Sequence, residues 1–216
     1  MHAPAHWKDA QEALSACCPV MRRLIDASGQ AVLQPRGDPY QTLARSIVGQ
    51  QISVKAAASV WARFEARCKG KVEPLKVSRM RISSLRECGL SVRKAEYLKD
   101  LSTRFVDGSL DPQHWIEHDD EAVIANLIQV RGIGRWTAEM FLIFNLLRPD
   151  VWPLDDIGLL RAIGIHWSDD PEHAWKHRSV KASRAEAAQL GERLRPWRSV
   201  ATWYLWRSLD PLPVSY

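Results

Sequence analysis

The sequence predicts an all-α fold, and three of its features carry that expectation. Apolar residues recur at three- and four-residue spacing along most of the chain. No run of alternating apolar and polar residues is long enough to anchor a sheet. The breaks between periodic stretches hold helix punctuation, with Pro and Asp before the stretches and Gly after them. At 216 residues, 46% hydrophobic and 25% charged, the chain can bury a sizeable core, and its composition excludes disorder over most of its length. One compact unit is expected.

Trp7 to Cys17 and Pro19 to Ser28 are the first helix candidates, with Pro19 suited to a first turn and Gly29 to a stop. Gln34-Pro35-Arg36-Gly37-Asp38-Pro39 is a turn cluster. From Pro39, Leu43, Ile47 and Val48 fall on one helical face, and Val54, Ala57, Val60, Trp61 and Phe64 on the next. Gly49-Gln50-Gln51 is the break between them. Further helices are expected over Val77 to Cys88, Ser91 to Asp107 and Asp119 to Val130. Gly89 to Ser91 is read as a tight turn, and Asp107-Gly108 and Asp111-Pro112 as loop signals. Two more periodic helices flank Arg131-Gly132-Ile133-Gly134, and Ile157 to Ile163 follows. The last third adds Arg184 to Leu194 and Pro196 to Leu209, where Trp197, Trp203 and Tyr204 have the spacing of core packing.

The formal charge of +5 has the sign needed to approach a polyanion. Ten Trp residues supply flat faces that serve equally as core filler or as stacking platforms for bases. Cys17, Cys18, Cys68 and Cys88 have neither zinc-site nor iron–sulfur spacing and are read as reduced core thiols. His114, His166 and the other histidines form no ligand spacing. Met1 to Lys8 lacks the pattern of a secretory signal, and no stretch reaches the roughly 18 apolar residues of a membrane span, so a cytoplasmic protein with no membrane partner is expected.

The informative segment runs from Leu127 to Leu160. Its Gly132-Ile133-Gly134 connection permits a tight turn that leaves backbone N–H groups uncovered at the start of the second helix, where a phosphate would bind without its sequence being read. An ordinary helical hairpin with glycines for close packing has the same residues. Downstream, Asp155 and Asp156 precede Ile157, a position at which Asp is a good N-cap.

This segment resembles the helix-hairpin-helix, Gly/Pro-rich-loop and aspartate motif of the DNA glycosylase superfamily. Gly132, Gly134, Thr137 and Ala138 match the hairpin, and Pro153 and Asp156 match the loop and its aspartate. Pro39–Ser59 is similar to the family's Gly-Gln helix pair and Pro196–Trp206 to its Pro-Trp-Arg-Ser helix, so roughly Pro39 to Leu209 falls inside the pattern. The most similar branch is that of 3-methyladenine DNA glycosylase II. The resemblance implies a two-lobed helical fold without an N-terminal β domain, the two ends of the chain sharing one lobe. It puts the hairpin motif at about 121–148 and the catalytic loop at about 149–157.

The resemblance also implies a chemistry. Bifunctional members carry a lysine two residues after the second hairpin glycine; here that residue is Trp136, which implies a monofunctional hydrolase. Family register gives Asp156 the catalytic position, with Asp155 as the alternative. Trp136, Met140 and Trp206 fall at positions lining the base pocket, and Met140 departs from an aromatic found in a relative. Arg131, Gly132, Ile133, Gly134, Arg135 and Thr137 form the DNA-binding hairpin. Gln51 is either the wedge inserted into the gap left by a flipped nucleotide or a polar turn residue. The backbone carbonyls of Ile128, Val130 and Ile133 are implied to hold a structural Na+ or K+. No other cofactor and no iron–sulfur cluster is implied. The expected partner is double-stranded DNA containing damaged bases, and the expected state a monomer. Two other readings remain at this point: a non-catalytic helix-hairpin-helix DNA-binding module, and a glycosylase for a different lesion.

Overall fold

The computed structural model describes residues 3–168 and 181–209. Every regular element among them is a helix. In order they are α1 (Trp7–Cys17), α2 (Pro19–Ser28), α3 (Pro39–Gly49), α4 (Val54–Arg67), α5 (Pro74–Arg79), α6 (Ile82–Glu87), α7 (Val92–Val106), α8 (Pro112–Glu117), α9 (Asp120–Leu127), α10 (Arg135–Phe144), α11 (Ile157–His166), α12 (Arg184–Arg193) and α13 (Arg198–Leu209). No helix among the described residues is long and apolar enough to cross a membrane.

The helix starts follow the caps written in the sequence. Asp38, Ser53, Ser91, Asp111, Asp119, Asp156 and Ser183 each accept a backbone N–H of the following turn, an interaction typically worth about 1 kcal/mol. Ser183 and Glu186 cap each other reciprocally.

Several expectations are corrected. The stretch Val77 to Cys88 is two helices, because Met80 is extended (φ −69°, ψ 145°) and Lys99 Nζ donates to the carbonyls of Ser78 (2.7 Å) and Met80 (2.6 Å). That side chain, from α7, satisfies the acceptors that continuous helix would have used. Asp111-Pro112 opens α8 rather than a loop, with Asp111 as N-cap and Pro112 at the first helical position. Cys18, Cys68 and Cys88 are buried free thiols as expected, whereas Cys17 is exposed.

The described residues divide into two compact units, residues 3–35 with 142–168 and 181–209, and residues 36–141. In the first, α1 pairs with α2, and α13 packs on both α2 and α11. The seven residues from Ser199 to Leu205 of α13 are all buried, the pattern of a central helix. Trp203 and Tyr204 belong to this core: Trp7 meets Trp203 edge-on (5.1 Å between centroids), and Gln11 donates to the Tyr204 hydroxyl (2.7 Å). Trp197 is only half-buried and stacks on His6.

In the second unit α7 packs against α3, α5 and α6. A run of edge-to-face contacts links Tyr40, Phe105, Trp115 and Phe141, and the buried Tyr40 hydroxyl is paired with Ser102 (2.8 Å).

Close packing in the first unit gives a stability prediction. A Cβ on Gly191 of α12 would lie 2.5 Å from the indole nitrogen of Trp152, which is buried and donates to the Ala187 carbonyl (2.9 Å). Gly191→Ala is expected to cost about 1–3 kcal/mol, seen as a lower midpoint in thermal denaturation. An unchanged midpoint would mean that Trp152 shifts freely.

Candidate functional site

Asp156 is the N-cap of α11. Its backbone carbonyl accepts the Leu160 N–H (3.1 Å), and its Oδ1 accepts the Leu159 N–H (2.6 Å). A second donor, the indole N–H of Trp206 on α13, reaches the same oxygen at 2.7 Å. The residue is 8% exposed, so a carboxylate sits almost out of water at a helix N-terminus, where the dipole favours negative charge. Trp206 is itself fixed by Phe144, whose ring stacks on the indole at 5.7 Å and 12°. Gly158 makes the approach possible, since a Cβ there would lie 3.1 Å from Asp156 Oδ1 and 3.2 Å from Trp206 Cδ1.

The neighbour Asp155 differs in kind. It is exposed and ion-paired with Arg184. Of the two aspartates, Asp156 is the buried one and is oriented by two donors.

The loop leading to Asp156 is held by residues that sequence reasoning did not single out. Arg198 Nε and Nη2 reach Asp150 Oδ1 (2.7 Å) and Oδ2 (3.0 Å), and Nη2 also donates to the Asp150 carbonyl (2.9 Å). Ser199 Oγ accepts the Val151 N–H (2.8 Å), and the Ser199 N–H donates to the Pro149 carbonyl (3.0 Å). The Arg-Ser step of Pro-Trp-Arg-Ser thus clamps the loop from Pro149 to Val151. Its signal was present in the sequence as a resemblance, with no indication of what it touched.

The hairpin lies in the second unit. Gly132 has φ +86°, and a Cβ there would fall 2.1 Å from the Tyr97 ring, so this glycine is required by backbone conformation and by packing. A Cβ at the exposed Gly134 would meet nothing within 4 Å. Nothing among the described residues demands glycine there, whereas close approach of an outside group to the backbone would. The Arg131 N–H donates to Asp100 Oδ2 (2.8 Å), which anchors the turn to α7. Arg135 is engaged by Glu121 and Glu139, and the hydrogen bond to Glu121 raises its pKa, so its charge is offset within the protein. Thr137 is nearly buried in α10.

Trp136 and Met140 stand one turn apart on α10, Trp136 exposed at 37% and Met140 half-buried. Gln51 is exposed with φ +57°, and the preceding Gln50 donates from Nε2 to the Gly132 carbonyl (2.8 Å). The structure therefore brings Asp156 and Trp206 together in one unit, and the Gln50–Gln51 turn and the hairpin together in the other.

In the Ile128–Ile133 turn, Val130 donates to Leu127 (3.1 Å) and Ile133 donates to the Val130 carbonyl (3.1 Å). The carbonyls of Ile128 and Ile133 take no part in these bonds. No group of three or more His, Cys, Asp or Glu among the described residues is placed to hold a metal ion.

Comparison with known proteins adds independent information. The family model described as HhH-GPD superfamily base excision DNA repair protein matches residues 44–186. DNA-3-methyladenine glycosylase 1 of Schizosaccharomyces pombe is 32% identical over 175 residues, spanning 79% of this chain and 72% of that protein. Among solved structures, the 3-methyladenine DNA glycosylase of Schizosaccharomyces pombe in complex with abasic DNA superposes with TM-score 0.79 at 28% identity, covering 96% of this chain and 99% of that one. DNA-3-methyladenine glycosidase of Bacillus halodurans superposes with TM-score 0.83 at 28% identity, covering 97% of this chain and 93% of that one. With the hairpin, the loop and the capping aspartate all inside the matched span, this chain belongs to the HhH-GPD superfamily of base excision DNA repair proteins.

Proposed function

We propose that this chain is a monofunctional DNA glycosylase that excises alkylated purines of the 3-methyladenine and 7-methylguanine class from double-stranded DNA, with Asp156 as the catalytic carboxylate. The observation that carries the reading is the buried Asp156 carboxylate, oriented by the Leu159 N–H and the Trp206 indole at the start of α11. The relatives named as 3-methyladenine glycosylases support the substrate class.

A purine alkylated on a ring nitrogen carries positive charge and is already a good leaving group. When its N-glycosidic bond breaks, the electron pair goes to the base, which leaves neutral, and positive charge develops on the sugar as an oxocarbenium ion. A fixed carboxylate beside that sugar stabilises the developing charge. Water then adds to C1′, and Asp156 orients it and takes up its proton. Trp136 offers no amine to attack C1′, so the reaction ends at an abasic site and leaves the strand intact.

The target base is stacked inside the duplex and must be turned out, which costs a few kcal/mol and costs least at a damaged pair. Gln51 acts as the wedge for this step. Gln50, its neighbour, has its amide committed to Gly132, while Gln51 stands exposed at the tip of the turn. Trp136, with Met140 one turn on along α10, offers its exposed indole to the extruded base, and an indole face favours a cationic base by roughly 0.5–2 kcal/mol. The N–H groups of Arg131 and Ile133 are already bonded to Asp100 and Val130, so within the hairpin from Arg131 to Thr137 the grip on phosphate falls to the N–H groups at the start of α10, with bare Gly134 admitting the closest approach. The neutral carbonyls of Ile128, Val130 and Ile133 suit a monovalent cation, which would supply positive charge toward a phosphate, and no other cofactor enters the reaction. The enzyme acts as a monomer.

Two measurements test the reading. Asp156→Asn keeps an N-cap acceptor, so fold and duplex affinity are expected to hold while release of 3-methyladenine and 7-methylguanine from methylated duplex falls by about 100-fold or more. A wild type that binds duplex yet frees no methylated base would point instead to a binding module or to another lesion. Gly132→Ala, which places a side chain against Tyr97 at positive φ, is expected to weaken binding about tenfold on duplexes of any sequence in a filter or anisotropy assay. A sequence-dependent loss would contradict a phosphate-gripping hairpin.

A further inference from the structure

The turn after α3 is unfavourable by its own local chemistry. Gln50 leaves the helix at φ −55° and ψ 131°, and Gln51 then adopts φ +57°, a region that a residue with a Cβ rarely enters outside Gly and Asn. Lys94 is equally out of place when read locally, because it is the third residue of α7, where the helix dipole disfavours a cation.

Each anomaly accounts for the other. Lys94 Nζ donates to the Val48 carbonyl at 2.8 Å and to the Gln50 carbonyl at 2.7 Å. It thereby satisfies acceptors that the end of α3 leaves over, and brings positive charge to a helix C-terminus. Partial burial pushes the Lys94 pKa down, as for an ammonium withdrawn from water into these contacts. The same helix also fixes the hairpin: Tyr97 covers Gly132, and Asp100 accepts the Arg131 N–H. Gln50 closes the circuit, its backbone carbonyl held by Lys94 and its side-chain amide bound to the Gly132 carbonyl.

We propose that Lys94 is a positioning residue for the DNA wedge: its ammonium bridges the Val48 and Gln50 carbonyls and so presents Gln51 in the left-handed conformation, at a fixed place relative to the hairpin. The role of Gln51 rests on the glycosylase reading above, and the role of Lys94 rests on geometry alone.

The test has two arms and one key variant, Lys94→Met, which keeps the apolar stem and removes the ammonium. Should that variant not fold, Lys94→Gln, which keeps an N–H donor without the charge, takes its place. In the first arm, amide hydrogen exchange is followed in the DNA-free protein. Acceleration of about tenfold or more at the amides of Gly49 and Gln50 in the last turn of α3, where the Gln50 N–H donates to the Ile47 carbonyl (3.4 Å), with α7 amides beyond its first turn unchanged, is expected. Unchanged exchange at the turn would overturn the proposal.

The second arm is a double-mutant cycle on single-turnover release of 3-methyladenine. Lys94→Met is expected to slow release about tenfold in the native background and less than about twofold in Gln51→Ala, because the wedge it positions is already gone. Lys94→Arg, which keeps both charge and donors, is expected to recover most of the lost rate. Full additivity of the two substitutions would sink the link to the wedge. A wild type that frees no methylated base would sink the alkylpurine reading alone, since the exchange arm still decides whether Lys94 holds the turn.

Discussion

A carboxylate that is 8% exposed has to be hydrogen-bonded, and the unit that contains Asp156 is arranged around that requirement. The donors come from two places: the first turn of α11, which the aspartate itself caps, and the indole of Trp206 from α13, some fifty residues downstream in sequence. The indole is in turn held by Phe144. The loop that delivers the aspartate is clamped by Arg198 and Ser199, from the start of the helix that carries Trp206. One helix therefore fixes both the loop and the donor, and a charge that is costly to bury becomes a rigidly aimed one. Rigid aim is what the proposed oxocarbenium stabilisation would need, because a stabilising charge must not have to reorganise as the bond breaks.

The second unit solves a different problem with neutral groups. A hairpin with the proposed phosphate-binding role would need backbone N–H groups and room, and its two glycines differ in what they supply. Gly132 makes the turn, closed in by Tyr97, while Gly134 stays open to the outside. α7 braces this turn through Tyr97 and Asp100, and it braces the Gln50–Gln51 turn through Lys94. Two turns far apart in sequence are thus referred to one helix, which holds them at a fixed separation and would do the same for the proposed phosphate grip and wedge.

Much of this was legible in sequence because the signals are local. The boundaries of α1, α2, α3, α4 and α7 follow from apolar period and from Pro, Ser, Asp and Gly at their ends, and Asp156 stands where an N-cap is expected. One error came where a distant side chain decided the outcome, the other where a local signal had two readings. Val77 to Cys88 has the period of one helix, yet Lys99 arrives from α7 to hold it broken. Asp111-Pro112 reads equally as a loop or a helix start, and the choice falls to the helix once Asp111 caps it.

The sequence by itself determined the helical class, the caps, the absence of a lysine at position 136 and the presence of an aspartate before α11, since each depends on residues within a few positions of one another. It left open which of Asp155 and Asp156 is the oriented carboxylate, and whether each hairpin glycine serves packing or access. Only the tertiary structure decided those points: burial and the Trp206 indole select Asp156 while Arg184 draws Asp155 to the surface, and Tyr97 occupies the space beside Gly132 but not beside Gly134. The physical reason is the same in each case. A side chain's local pattern fixes what it is able to donate, accept or avoid, and only the fold determines which partner is there to meet it.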